Sequence, residues 1–136
     1  MIASLLLMLA QPAGMAQCDR EAADRGVQQA MNMCAAEEFA KADAALNAQW
    51  KETRLTMKGR DQRWAKYNTP ERDRRPGYFA SLLEAQRAWL AYRDAHCRLD
   101  GYFARGGSLE PLLVSTCKTA LTEERTRELR SLVEND

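Results

Sequence analysis

The chain has a single histidine, four prolines and seven glycines, and these shortages exclude several kinds of chemistry. One histidine, His96, cannot build a histidine cluster for a catalytic metal. The four cysteines lack both the paired CxxC spacing of zinc sites and the CxxCH of haem attachment. No glycine-rich loop follows a strand-like run, so no phosphate cradle is expected, and Gly106-Gly107 falls between helical patterns. An excess of one charge is also missing. With 20 Lys and Arg against 19 Asp and Glu, a general nucleic-acid binder is not expected. No apolar run reaches the roughly 20 residues of a membrane span, and no segment alternates as a strand does. The sequence therefore presents no metal ligands, cofactor site, catalytic triad or paired-carboxylate site, and a non-enzyme is expected.

What is present is a single-domain length of 136 residues, alanine and aliphatic content suited to helices, and an apolar start. Ile2 to Ala10 followed by small residues reads as a secretory signal over residues 1–16, with Gly14 and Ala16 before a cut ahead of Gln17. No Lys or Arg precedes the run. Cys18 is not expected to carry a lipid, because Gln17 stands where a lipoprotein signal requires a small residue. Residues 17–136 are then an exported, periplasmic or secreted domain without stable membrane insertion. In such a compartment Cys18, Cys34, Cys97 and Cys117 are expected to form two disulfides. A continuous helix from Cys18 to Cys34 would hold them about 24 Å apart, which excludes that pair unless the chain before Gly26 folds back. Bridges between helices, Cys34 with Cys97 and Cys18 with Cys117, are the favoured pairing.

The predicted fold is all-α, a small antiparallel bundle of three main helices crosslinked by two disulfides. The first helix is predicted over Val27–Leu55, with Val27, Met31, Cys34, Ala42, Leu46, Trp50 and Thr53 on one face and Phe39 broadening it. Gly59 is expected to end or interrupt it. An Arg-rich solvated connection with Pro70 and Pro76 follows, holding one short helical turn near Gln62–Tyr67. The second helix spans Tyr78–Phe103, and Ser108 is expected to cap a third with Pro111 in its first turn. Leu112, Cys117, Leu121, Leu129 and Leu132 form that helix's stripe. Trp64, Tyr67, Tyr78, Tyr92 and Tyr102 are expected to complete the core, with a recognition surface as the alternative.

Leu82 to Cys97 carries the strongest signal. Stepping back from Cys97 by four, four and three residues places Arg93, Trp89 and Gln86 on one face. Polar groups on a buried stripe need partners. Asp43 and Asn47 border the apolar face of the first helix, and Arg125 shares a side of the third with Cys117. A structural polar network of Asp43, Asn47, Gln86, Trp89, Arg93 and Arg125 is expected, in which an acid and an amide satisfy inward arginines. A ligand or acid/base cluster of Asp43, Gln86, Arg93 and Arg125 is the alternative. His96, beside Cys97 but turned about 100° from it, is expected at a solvated helix edge.

The segments MNMCAAEEFAKADAALNAQW and LLEAQRAWLAYRDAHC, then Gly106-Gly107-Ser108 and Cys117 with the TEERTRELRSL tail, resemble the LprI-like family of exported bacterial proteins. The resemblance runs from about Met31 onward, and the absent lipobox departs from the family's founding lipoprotein. It implies inhibition of lysozyme, with a loop or helix end blocking the enzyme's catalytic carboxylates. An acidic patch facing a basic enzyme would then be expected near Glu37-Glu38 or Glu123-Glu124. The alternative is a non-catalytic envelope module that binds another periplasmic protein or a small ligand. The partner is thus lysozyme or another envelope protein, and the sequence leaves the oligomeric state open.

Overall fold

A computed structural model describes residues 17–135, so the predicted signal segment, residues 1–16, lies outside the described residues. Four helices form: α1 (Arg20–Asp24), α2 (Gln28–Ala65), α3 (Tyr78–Gly101) and α4 (Glu110–Glu134), with a 3-10 turn at Tyr102–Ala104 between the last two. The three long ones make the predicted all-α bundle. Contacts fix their directions. Arg93 reaches Thr122 and Arg125 reaches Gln86, so α3 and α4 are antiparallel. Asn32 reaches Ser108 and Arg60 reaches Leu132, so α2 and α4 run parallel, with the most extensive packing in the bundle between them.

The N-terminal fold-back is built by two local devices. The Asp19 side chain accepts the Ala22 N–H at 2.9 Å and caps α1. Gly26 then takes φ +84°, a left-handed conformation that glycine adopts without a Cβ penalty. The reversal carries Cys18 back along α2, and the bridges are Cys18–Cys34 and Cys97–Cys117, with Cα separations of 4.8 and 5.4 Å. The favoured pairing of Cys34 with Cys97 and Cys18 with Cys117 is therefore wrong. A five-residue helix followed by one glycine suffices to fold the chain before Gly26 back.

Gly59 does not stop the first helix. A mid-helix glycine costs about 1 kcal/mol, and here tertiary contacts on both sides offset it: Met57 is buried in the core and Arg60 donates to the Leu132 carbonyl at 2.9 Å. Helix α2 thus reaches 38 residues, about 57 Å, and absorbs most of the turn expected near Gln62–Tyr67. Its extra length has a use. Asp61 accepts the Tyr78 and Phe79 N–H groups at 2.7 and 3.0 Å, capping α3 from a different helix. Gly77 gives the Asp61 carboxylate room there, because a Cβ would lie 2.6 Å from Asp61 Oδ1 and the carboxylate would have to shift.

Ser108 does not cap α4. Leu109 occupies the N-cap position without a side-chain bond. Glu110 instead turns back to accept the Gly106 N–H at 2.7 Å, and the Ser108 carbonyl accepts from Asn32 at 2.9 Å. The cluster of large buried apolar side chains is small: Leu46, Met57, Leu82 and Leu129, backed by Trp50, Phe79 and Trp89. Threonine takes a large share of the buried positions, at Thr53 on the predicted face of α2 and at two positions of α4 that its predicted stripe left out. Thr53, Thr122 and Thr126 are buried, whereas Leu132 is exposed. Thr126 donates to the Thr122 carbonyl and Thr53 to the Leu129 carbonyl, both at 2.9 Å, so these hydroxyls can be buried without desolvation loss.

Candidate functional site

The predicted polar residues meet in two linked stations along the bundle. At the first, the Arg93 side chain is only 8% exposed. Its Nη1 donates to Thr122 Oγ1 at 3.3 Å and its Nε to Asp94 Oδ1 at 3.0 Å. Asp43 Oδ1 lies 3.7 Å from the guanidinium, and Asp43 is itself 42% exposed. Arg93 also sits between two aromatic faces, 5.1 Å from the Trp89 ring centre and 5.3 Å from that of Phe39. Lys118 joins the same cluster, 3.6 Å from Asp94 and 5.6 Å from the Phe39 ring centre.

At the second station, Arg125 Nε donates to Gln86 Oε1 at 3.0 Å and Nη1 to Glu128 Oε2 at 2.7 Å. The Arg125 guanidinium lies 6.0 Å from the Trp89 ring centre. Trp89 thus faces both arginines, the buried Arg93 and the half-buried Arg125, and links the stations. Asn47 is peripheral, exposed and bonded to Asp43 at 3.4 Å. Among the described residues, no buried side-chain nitrogen or oxygen lacks a hydrogen-bond partner.

Three partners were not picked out from the sequence. Asp94 is the nearest carboxylate to Arg93 although adjacent helical positions diverge by about 100°, because the long guanidinium stem curls back to its neighbour. Thr122 is an acceptor inside the third helix's stripe, where a count of apolar residues passes over it. Gln49 is buried on α2, donates to Thr53 Oγ1 at 3.3 Å and accepts from Arg130 at 3.4 Å. The helical spacing of Gln49 and Thr53 with Leu46 and Met57 was the available signal.

The surface also departs from expectation. Trp64, Tyr67, Tyr78, Tyr92 and Tyr102 are all exposed and do not complete the core, because the three helices already close around threonine, glutamine and the Cys97–Cys117 bridge. His96 is exposed as expected and stacks on Tyr92, with ring centres 5.2 Å apart. Glu37 and Glu38 do not form a bare acidic patch. The Cys18 N–H and then Lys41 hold the Glu37 carboxyl below its ordinary range, and Arg20 followed by Lys41 does the same to Glu38. At the far end of α2, an open cleft of about 1080 Å³ is lined by Met57, Trp64, Arg74, Tyr78, Leu82 and Leu132 among others.

Residues 18–129 match the family model described as Lysozyme inhibitor LprI. The matched span starts at the first bridging cysteine and takes in both disulfides, α1 to α3 and α4 as far as Leu129. The chain belongs to the lysozyme inhibitor LprI family. It is also 38% identical over 132 residues to an uncharacterised protein of Rhizobium meliloti (strain 1021), covering 97% of this chain and 92% of that relative. No solved structure matches. No described helix is long and apolar enough to cross a membrane. Within this LprI-family bundle, the Gln86–Cys97 segment supplies Arg93 and Asp94 to the first station, Gln86 to the second, Trp89 to both, and one half-cystine.

Proposed function

We propose that the chain is an exported, periplasmic or secreted inhibitor that binds lysozyme and blocks its turnover, and that it is not itself an enzyme. The observation that carries the reading is the LprI family match over residues 18–129, which takes in both disulfides and nearly the whole bundle. Two disulfides in a small domain accord with an oxidising compartment. The polar stations serve structure in this reading. Arg93 and Arg125 have every short-range partner they need inside the bundle, and their coupling to Thr122, Asp94, Gln86 and Glu128 fixes helix register.

A turnover assay on peptidoglycan with the oxidised domain, residues 17–136, tests this directly. The expected result is loss of lysozyme activity that saturates at stoichiometric inhibitor. Undiminished activity of several lysozyme types at tens-of-fold molar excess would remove the reading. The exposed rings and unpaired Arg74 of the α2 cleft would then favour the second reading, a non-catalytic envelope module for another protein or small ligand.

A further inference from the structure

One end of the bundle carries apolar surface that the fold does not use. Along α3, Tyr92, His96 and Leu99 recur at steps of four and three residues, and Phe103 follows four residues later in the 3-10 turn. All four are exposed, and Phe103 reaches 93%. A phenylalanine so placed contributes little to the folded state and is enriched where a partner will cover it. Beside it stands Arg105, exposed and without an acidic partner among the described residues, its guanidinium 4.4 Å from the Tyr102 ring centre.

This convex tip is rigidly held. The Gly107 N–H donates to the Ala104 carbonyl at 2.8 Å and the Gly106 N–H to Glu110 at 2.7 Å. Gly106 supplies φ +78°. Asn32 ties Ser108 to α2, and the Cys97–Cys117 bridge closes the base of the hairpin. At Gly101, a Cβ would lie 2.5 Å from Val114 Cγ2, so the two helices meet with no room for a side chain just before the turn. Pre-ordering of this kind lowers the entropic cost of binding.

We infer that the turn at residues 102–107, with Phe103 and Arg105 at its tip and Tyr92, His96 and Leu99 as its flank, is the surface that enters the substrate cleft of a lysozyme. This inference rests on the inhibitor reading above. Charge and shape select that occupant. Glycosidases work with two carboxylates flanking the scissile bond at the bottom of a concave site, and an unpaired guanidinium on a convex tip complements them. An aromatic ring beside it replaces the apolar face of a sugar. The polar stations keep their own partners, and the α2 cleft lies at the other end of α2.

The test uses the oxidised domain with a lysozyme that the wild type inhibits. Phe103→Ala and Arg105→Glu are each expected to raise the inhibition constant by about tenfold or more. Tyr67→Ala, at another strongly exposed aromatic beyond the other end of α2, should leave it unchanged. Because Phe103 and Arg105 are exposed, thermal melts of all three variants should match wild type, separating lost contact from lost fold. The chitin trisaccharide, which fills the enzyme's cleft, should compete with the wild-type domain. A wild type that inhibits while both tip variants inhibit equally well, or a ternary complex with the trisaccharide, overturns the tip assignment and leaves the inhibitor reading standing. A wild type that inhibits no lysozyme overturns both.

Discussion

Removing the two disulfides separately should have unequal consequences, although simple chain entropy makes them nearly equal. The bridges span sequence separations of 16 and 20 residues, and the loop-closure relation assigns each about 3 kcal/mol through the unfolded state. The folded state breaks the tie. Cys97 is fully buried and its bridge joins two of the three long helices at the base of the turn. The paired substitution Cys97→Ala with Cys117→Ala therefore loses the full entropic contribution plus packing around a core sulfur. At roughly 4 °C per kcal/mol for a domain of this size, the midpoint should fall by about 12 °C or more. The Cys18–Cys34 bridge, in contrast, ties down α1, a five-residue helix that packs on α2 alone. Without it, α1 can undock while the three-helix body stays folded. The native ensemble then gains freedom along with the unfolded one, which offsets the loss. Cys18→Ala with Cys34→Ala should cost less than half as much. Thermal melts followed by helical circular dichroism give both numbers, and non-reducing peptide mapping of the wild type gives the pairing. Equal losses for the two pairs, or a peptide linking Cys34 to Cys97, would refute the reasoning.

Three further outcomes follow from individual contacts. Asp61→Ala removes the carboxylate that caps α3 from α2 and should cost about 1–2 kcal/mol in urea unfolding; Gly77→Ala should cost a similar amount by pushing a methyl against Asp61 Oδ1, whereas losses within experimental error would show the cap to be dispensable. Asp43→Ala should cost under about 1 kcal/mol, because Asp94 still neutralises Arg93; a loss of about 3–5 kcal/mol, the cost of stranding a buried cation, would mean that Asp43 is the essential partner, and a double-mutant cycle should place the larger coupling on Arg93 with Asp94. The Asp73 carboxyl, held by the Arg75 side chain and then its N–H, should titrate at about 2. Its folded value lies below the unfolded one, so whatever it contributes is present above about pH 4 and is lost as pH falls through about 2. Carbon-detected NMR titration should find that midpoint, with Arg75→Ala returning it to the ordinary carboxylate range; an ordinary midpoint in the wild type would show the pair to be absent in solution.

How much of this molecule could be read from sequence depended on the range of the contact. Periodicity located the three long helices because amphipathic spacing is local, and Gln86, Trp89 and Arg93 fell on one buried or half-buried face as their spacing required. The N-terminal reversal was missed because it depends on one dihedral at Gly26 and on a helix too short for periodicity to register. Asp43 lies beside Arg93 as its spacing suggested, but Asp94 was missed as the nearer carboxylate because face geometry follows Cβ directions, while a guanidinium reaches round the helix to its neighbour. Thr122 and Thr126 were passed over because their side chains count as polar until their hydrogen-bond partners are known, whereas Thr53 already lay on the predicted face. Asp61 could not have been seen as a cap at all, since the helix it caps begins 17 residues later in the chain.

The thin core and the exposed tip belong to the same physical solution. Four buried aliphatic side chains, Leu46, Met57, Leu82 and Leu129, are few for three helices of this length, and much of the inter-helix space is occupied by threonine hydroxyls, glutamine amides and guanidinium groups. Such contacts are directional and specify register sharply, but each contributes only about 1 kcal/mol net. The covalent bridges supply the remaining constraint, and one of them is placed where the bundle ends in Phe103 and Arg105. A surface loop that must present an apolar ring to water between encounters gains from this arrangement. The base of the hairpin is fixed by Cys97–Cys117 and by the close approach at Gly101, so the ring has no route into the core and stays available. Lengthening the turn by two glycines between Gly106 and Gly107 should therefore leave the melting midpoint nearly unchanged, since loop-closure entropy grows slowly with length, yet weaken inhibition through lost pre-ordering. A melt that falls by as much as with the Cys97–Cys117 bridge removed would show instead that the turn is part of what holds the helices together.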